Sequence, residues 1–366
     1  MGAYADCDLE GESMRGDDTP MDKLTDCFQA QPTRRHFLRT LGGSLLGASI
    51  LASALPALSG VARAAQGAKK RVETPGKTWL EVSLNGPWSR DRQPGIPIAV
   101  RDIVEQGIAC ARAGASILHV HAYDEKTGRQ KDDADLYAAI IEGIRAKEDV
   151  VVYPTLPFAG SVDAPNMMSA QERFAHTETL AKRGLLEWAV VDPGSTNITR
   201  LDEIPAGKQG FVYANPESHI RLGLELATRY RFHPGYALYE PGFVRLGAAL
   251  ERAYPEVPQC IYRFMFSDGL SFGFPPKPYA LDAFLRLLAD EAPHAPWMIA
   301  GLDVDIMPLA AYAIERGGHL RVGLEDAPFG VTKTNLQLVD DALRVIRAAG
   351  KEPASIKEIR QALASA

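Results

Sequence analysis

Ile117-Leu118-His119-Val120-His121 and Val150-Val151-Val152-Tyr153-Pro154 are short apolar runs rich in β-branched side chains, the length and composition of buried strands rather than helices. Ahead of the first run, Val104, Ile108 and Ala111 recur at the i, i+4, i+7 spacing of a helix with one buried stripe. Helix and strand in alternation form the repeating unit of a parallel sheet. Outward from this stretch the pattern continues, with predicted strands at Trp79–Leu84, Glu187–Asp192, Tyr236–Glu240, Ile261–Phe266, Trp297–Gly301 and Leu320–Leu324. Between them, Ser169-Ala170-Gln171-Glu172 has the form of a capping box. Thr334 caps a last helix whose stripe is Leu336, Val339, Leu343 and Ile346. Eight strands, each followed by a helix, predict a (β/α)8 TIM barrel forming one domain over residues 65–366. An open doubly wound sheet would need a glycine-rich phosphate loop after its first strand, and Leu84-Asn85-Gly86-Pro87-Trp88 is not one.

Composition narrows the function classes. The 366 residues are 46% hydrophobic and 23% charged, with 40 basic and 46 acidic side chains for a net charge of −6. An acidic balance with no basic block in the barrel sequence argues against a general nucleic-acid or anionic-membrane binder. Cys7, Cys27, Cys110 and Cys260 show no C-x-x-C spacing, so no zinc ribbon, iron–sulfur site or disulfide framework is suggested.

Residues 1–64 read differently. A polar, acidic start leads to Thr33-Arg34-Arg35-His36-Phe37-Leu38-Arg39, then a weakly apolar stretch from Leu41 to Leu58, then Ala62-Arg63-Ala64. That order is the order of an export signal, and the paired arginines resemble a twin-arginine signal. The expectation is a periplasmic or otherwise exported protein. Two alternatives stay open. The stretch is an uncleaved anchor, although about 18 residues interrupted by Gly42, Gly43, Gly47 and Pro56 is thin for a span; or the start is misassigned, Met14 and Met21 serving as well as Met1, and a chain whose signal is not used is cytoplasmic.

Barrel enzymes carry their chemistry at the C-terminal ends of the strands. The second strand ends in His119-Val120-His121, and side chains at i and i+2 project from the same side of a strand. The eighth ends Arg321-Val322-Gly323-Leu324-Glu325-Asp326. Because a barrel closes its last strand on its first, Glu325 can approach the histidine pair. Two imidazoles and one carboxylate with an open position are the donor set of catalytic zinc. Other strand ends add Thr155, the Asp192–Asn197 run, Glu240 and Ser267-Asp268-Gly269, each of which also suits a helix cap. The other histidines fall in the leader (His36), in helical or loop sequence (His176, His219, His294), or at the opposite end of a strand (His233, His319).

Taken together, Ala113–His121, Asp192–Asn197, Tyr239-Glu240-Pro241-Gly242, Ala300–Asp303 and Gly317–Asp326 resemble the β-keto acid cleavage enzymes, over about residues 78–350. The resemblance implies a zinc-dependent exchange in which a β-keto acid and acetyl-CoA give acetoacetate and a new acyl-CoA. It implies His119, His121 and Glu325 as zinc ligands, Asp326 as general base and Arg321 as its assistant. Zinc and Arg321 beside Asp326 would favour its ionised form. Ser195 and Glu240 match positions that hold substrate, and Thr155 lies beside Pro154, where the family has a serine. It also implies a homo-oligomer. The chain departs from the family at Gly86-Pro87-Trp88, where an ammonium-binding glutamate stands in the namesake enzyme, and at Tyr123 and the Ser267–Gly273 turn. The first departure favours an uncharged, aromatic-tolerant β-keto acid. Acetyl-CoA is a cytoplasmic metabolite, so an export signal leaves two further readings open: a CoA-independent zinc lyase or hydrolase on a carbonyl substrate, and a solute-binding protein.

Overall fold

The computed structural model describes residues 70–159 and 167–365; the leader-like segment of residues 1–64 lies outside them. Residues 66–366 form one compact unit. Eight parallel strands, β1 Leu80–Ser83, β2 Ile117–Val120, β3 Val151–Pro154, β4 Trp188–Val190, β5 His233–Leu238, β6 Ile261–Phe266, β7 Trp297–Gly301 and β8 His319–Val322, form a single sheet. The hydrogen-bonded order is β3-β2-β1-β8-β7-β6-β5-β4, so β8 pairs with β1 (Leu320 opposite Leu80, Arg321 opposite Glu81). β3 and β4 lie side by side without a ladder between them. The sheet is thus a nearly closed (β/α)8 barrel, as the alternation predicts.

Each strand feeds one helix: α1 Val100–Ala113, α2 Ala134–Arg145, α3 Ala170–Lys182, α4 Glu217–Tyr230, α5 Pro241–Ala253, α6 Pro278–Glu291, α7 Met307–Glu315 and α8 Asn335–Ala348, with α9 Ile356–Ala364 after them. The capping box at Ser169 and Glu172 forms, and Thr334 pairs with Gln337 in another, satisfying orphan N–H groups at both starts. The α1 stripe sits one residue earlier than its spacing suggests: Ile103, Gly107 and Cys110 are buried. Val104 instead packs on Gly143 of α2, and Gly107 admits Ile144, so two glycines let the helices approach. In α8 the stripe holds at Val339, Leu343 and Ile346, but Leu336 is exposed. Among the described residues no helix is long and apolar enough to cross a membrane.

The barrel interior is layered. At its N-terminal end the His319 ring stacks on Trp79 at 4.3 Å and accepts the Trp79 N–H through Nδ1 at 3.1 Å; Trp188 packs against the other side of Trp79. The next layer holds Glu81, Tyr153, Arg263 and Arg321, all buried. Branched aliphatic residues usually fill barrel interiors; here charged groups occupy the middle and form the floor of the mouth.

Candidate metal centre and its surroundings

β2 delivers both histidines. His119 lies opposite Ser83 on β1 and Tyr153 on β3, and His121 follows one residue beyond the strand's last ladder position. Asn85 grips the His121 backbone from both sides, accepting its N–H and donating to its C=O at 2.9 Å each. β8 stops at Val322, earlier than the sequence run suggests. Gly323 takes φ +139, where a Cβ would strike the backbone of Ser83, and the turn brings Glu325 and Asp326 back over the barrel axis. Gly86, at φ +68, completes the cradle: a Cβ there would sit 2.5 Å from Glu325 Cγ.

Three donors converge. His119 Nε2 and His121 Nε2 are 3.2 Å apart, His119 Nε2 is 3.5 Å from Glu325 Oε2, and His121 Nε2 is 3.5 Å from Glu325 Oε1. The two 3.5 Å contacts end on different oxygens of Glu325, and one donor atom from each of the three residues lies within 4.8 Å of the others, a cluster that a small rotation of the carboxylate would close around one metal ion. Glu325 Oε2 is buried without a hydrogen-bond partner, which a cation would supply. The buried charges of the barrel interior and mouth lean negative, with Glu81, Asp192, Glu325 and Asp326 facing Arg173, Arg263 and Arg321. Burial holds the His119 imidazole well below its usual range despite the pull of Glu325, leaving it a neutral lone-pair donor. Burial alone would push the Glu325 carboxyl up, but Arg321 and the two histidines outweigh it and hold it well below the usual carboxylate range.

Asp326 and Arg321 form a two-point pair beside this triangle, Nε to Oδ2 at 2.9 Å and Nη2 to Oδ1 at 2.8 Å. Arg321 Nη2 also lies 3.1 Å from Glu325 Oε1. Burial pushes the Asp326 carboxyl up to about 6 against the pull of Arg321, with Glu325 and Glu81 adding to the rise. Arg321 acts on Asp326 in the expected direction, favouring the ionised form, and burial outweighs it.

Beneath the pair, Glu81 accepts from Tyr153 Oη and from Arg263 Nη2, and lies 3.5 Å from Arg321 Nη1. These residues were not singled out from sequence, yet a signal was present: Glu81 and Arg263 are charged side chains inside apolar strand runs, and a fully buried charge requires a partner.

The pocket over the triangle is lined by Trp88, Thr155, Phe158, Phe211, Tyr239 and Leu302, among others, with His121 and Glu325 at its floor. Trp88 is pinned there by its indole N–H on the Glu325 carbonyl at 2.8 Å. Thr155 stands in this wall. Ser195 Oγ accepts the Asn215 N–H at 2.7 Å and keeps its own O–H to donate, and Glu240 Oε1 accepts from Thr196 Oγ1 at 2.9 Å and from the Gly273 N–H at 3.1 Å. Both tie together loops that surround the mouth.

A (β/α)8 barrel with polar and charged side chains converging at the C-terminal ends of its strands is the architecture of the barrel enzymes. Within that class the chain belongs to the β-keto acid cleavage enzyme family, whose model matches residues 77–364. It is 27% identical to the 3-dehydrocarnitine:acetyl-CoA trimethylamine transferase of Rhizobium meliloti (strain 1021), over 73% of this chain and 89% of that one. It is 26% identical to the 3-keto-5-aminohexanoate cleavage enzyme of Fusobacterium nucleatum, over 75% and 93%. Among solved structures, ObcA in a binary complex with oxaloacetate superposes with a TM-score of 0.60 at 15% identity, over 74% of this chain and 67% of that one, a likeness of fold. The family is the one the sequence fragments indicate, and its members are C–C bond-cleaving enzymes.

Proposed function

We propose that this chain is a zinc-dependent enzyme that exchanges a β-keto acid with acetyl-CoA to give acetoacetate and a new acyl-CoA. The C2–C3 bond of the keto acid breaks, its carboxymethyl carbon bonds to the acetyl carbonyl carbon, and the released acyl group leaves on the CoA sulfur, so atoms balance with no oxidant. The observation that carries this reading is the donor triangle of His119, His121 and Glu325 with Asp326 held beside it by Arg321. Zinc held by those three residues supplies Lewis-acid polarisation of the keto oxygen. Asp326 takes and returns the proton, and Arg321 fixes the direction of its carboxylate. Thr155 contacts substrate from the wall, while Ser195 and Glu240 order the loops that close over it. Trp88 and the aromatic wall exclude water and favour an acid with an uncharged, apolar side chain: among the described residues lining the pocket, the charge-bearing side chains are His121 and Glu325, both ligands in this reading, and an unpaired charge placed there would lose its hydration without compensation.

The purified full chain, its zinc content measured, is assayed on neutral, cationic and anionic β-keto acids with and without acetyl-CoA. Acetoacetate formed only when both substrates are present is the expected result. His119→Ala and Glu325→Ala lose zinc and turnover together, whereas Asp326→Asn keeps zinc and loses turnover. A zinc-loaded chain inactive on every acid overturns the proposal. The leader-like segment around Arg34 and Arg35 favours one second reading, an exported protein doing CoA-independent cleavage. Consumption of keto acid without acetyl-CoA, with export abolished by replacing both arginines with lysine, would establish it.

A further inference from the structure

Behind His121 runs a line of hydrogen bonds that the reaction chemistry does not use. His121 Nδ1 meets Gln130 Oε1 at 2.8 Å, Gln130 Nε2 meets Asp132 Oδ1 and Oδ2 at 2.9 and 3.0 Å, and the buried Tyr137 hydroxyl donates to Asp132 Oδ1 at 2.9 Å. The directions of these bonds are forced. A carboxylate only accepts, so Asp132, held by Tyr137, must receive the amide N–H groups of Gln130. That turns the amide carbonyl toward His121, and a carbonyl also only accepts. Nδ1 of His121 must then carry a proton, so in the neutral ring Nε2 is the nitrogen that presents a lone pair to Glu325 and His119.

We infer that Gln130 is a positioning residue that fixes the tautomer of His121, with Asp132 and Tyr137 setting the direction of its amide. The inference rests on the reading of His121 as a metal ligand. It also separates the two histidines. His119 Nδ1 is buried without a hydrogen-bond partner, and its ring is held by packing on Tyr153 at 4.7 Å. His121 is therefore the pre-set ligand and His119 the adaptable one. Gln130 sits on the short hairpin Tyr123–Asp124/Arg129–Gln130 that follows β2, so the same excursion of chain that leaves the ligand strand returns to lock its last residue.

The test uses the full-length chain stripped of metal, with zinc titrated in competition with a chromophoric chelator and the histidine ring nitrogens followed by 15N NMR. In the wild type, Nδ1 of His121 is expected to carry a proton before any zinc is added, and Nε2 to be the nitrogen that zinc takes. Gln130→Leu should bind zinc about 10–100-fold more weakly, the usual effect of losing a ligand's outer partner, with the ring populating both tautomers. Gln130→Glu combined with Asp132→Asn keeps an acceptor facing Nδ1 and a donor–acceptor pair between the two positions, and should stay within about threefold of wild type. Equal losses in both variants would show that Gln130 merely holds the hairpin together and would overturn the inference, as would unchanged affinity in Gln130→Leu or an unprotonated Nδ1 in the wild type. Should Gln130→Leu fail to fold, the wild-type ring signal and Gln130→Glu/Asp132→Asn still decide. Failure of the wild type to bind zinc would count against the proposed function, while the tautomer still tests this inference.

Discussion

Glu81→Gln removes one charge from the centre of the barrel while keeping the shape of the side chain. Glu81 is fully buried and is the shared acceptor of Arg263 at 3.1–3.2 Å and of the Tyr153 hydroxyl, with Arg321 at 3.5 Å. An amide there leaves Arg263, itself 1% exposed, without its closest counter-charge. Removing one partner of a buried ion pair costs about 3–5 kcal/mol because the other charge stays buried. At about 2–4 °C per kcal/mol for a domain somewhat smaller than this barrel, the unfolding midpoint should fall by on the order of 10 °C. Calorimetry of the metal-free chain isolates this loss from any change in zinc binding. The double variant Glu81→Gln/Arg263→Gln removes both charges and should recover part of the loss, the non-additivity expected of residues in contact. A midpoint within about 2 °C of wild type for the single variant, or a double variant whose loss is the sum of the two singles, would refute the view that Glu81 compensates Arg263.

Three other outcomes follow from the geometry. His319, held down to about 3 by burial, is neutral in the fold but takes up a proton near 6.5 when unfolded. It therefore contributes stability above pH 6.5 that is lost as pH falls toward 3, and His319→Phe should shrink the stability difference between pH 7 and pH 5 by about 2 kcal/mol in urea unfolding. Gly86→Ala adds a methyl 2.5 Å from Glu325 Cγ in a left-handed backbone and should weaken zinc affinity at least about tenfold with secondary structure retained, read by chelator competition and circular dichroism. Arg321→Lys replaces a two-point grip on Asp326 with a single point charge; kcat should fall about 100-fold while bound zinc stays stoichiometric.

The barrel is legible in the chain because its strands are apolar runs between helices of clear period: all eight predicted runs overlap an observed strand, although β5 begins at His233 and β8 at His319, ahead of the runs read from sequence. The ends are less legible. β8 stops at Val322 because Gly323 turns the backbone against Ser83, a close approach that depends on a strand about 240 residues away in sequence. His119, His121 and Glu325 are found together because i, i+2 geometry and barrel closure are rules of topology. Gln130 and Asn85 escape such rules, since both lie in short loops whose return path no periodicity encodes. Glu81 and Arg263 were readable as charges within strands, but their partners come from β3 and β8, visible only once the sheet closes. Ser195 and Glu240 were marked by similarity, whereas their bonds to Asn215, Thr196 and Gly273 depend on loops whose paths the sequence does not show.

The ladder between β8 and β1 also governs when the metal centre comes into being. His119 and His121 emerge early in the chain, but Glu325 follows the last barrel strand, and it reaches them only after Leu320 has docked on Leu80. Pairing across so long a loop is among the slowest events in folding. A nascent or truncated chain lacking β8 holds two histidines and no third donor, so tight zinc capture reports that the ring has closed. Under the proposed zinc reading, metal uptake follows chain completion, and a chain ending before β8 should hold zinc far more weakly than the full chain.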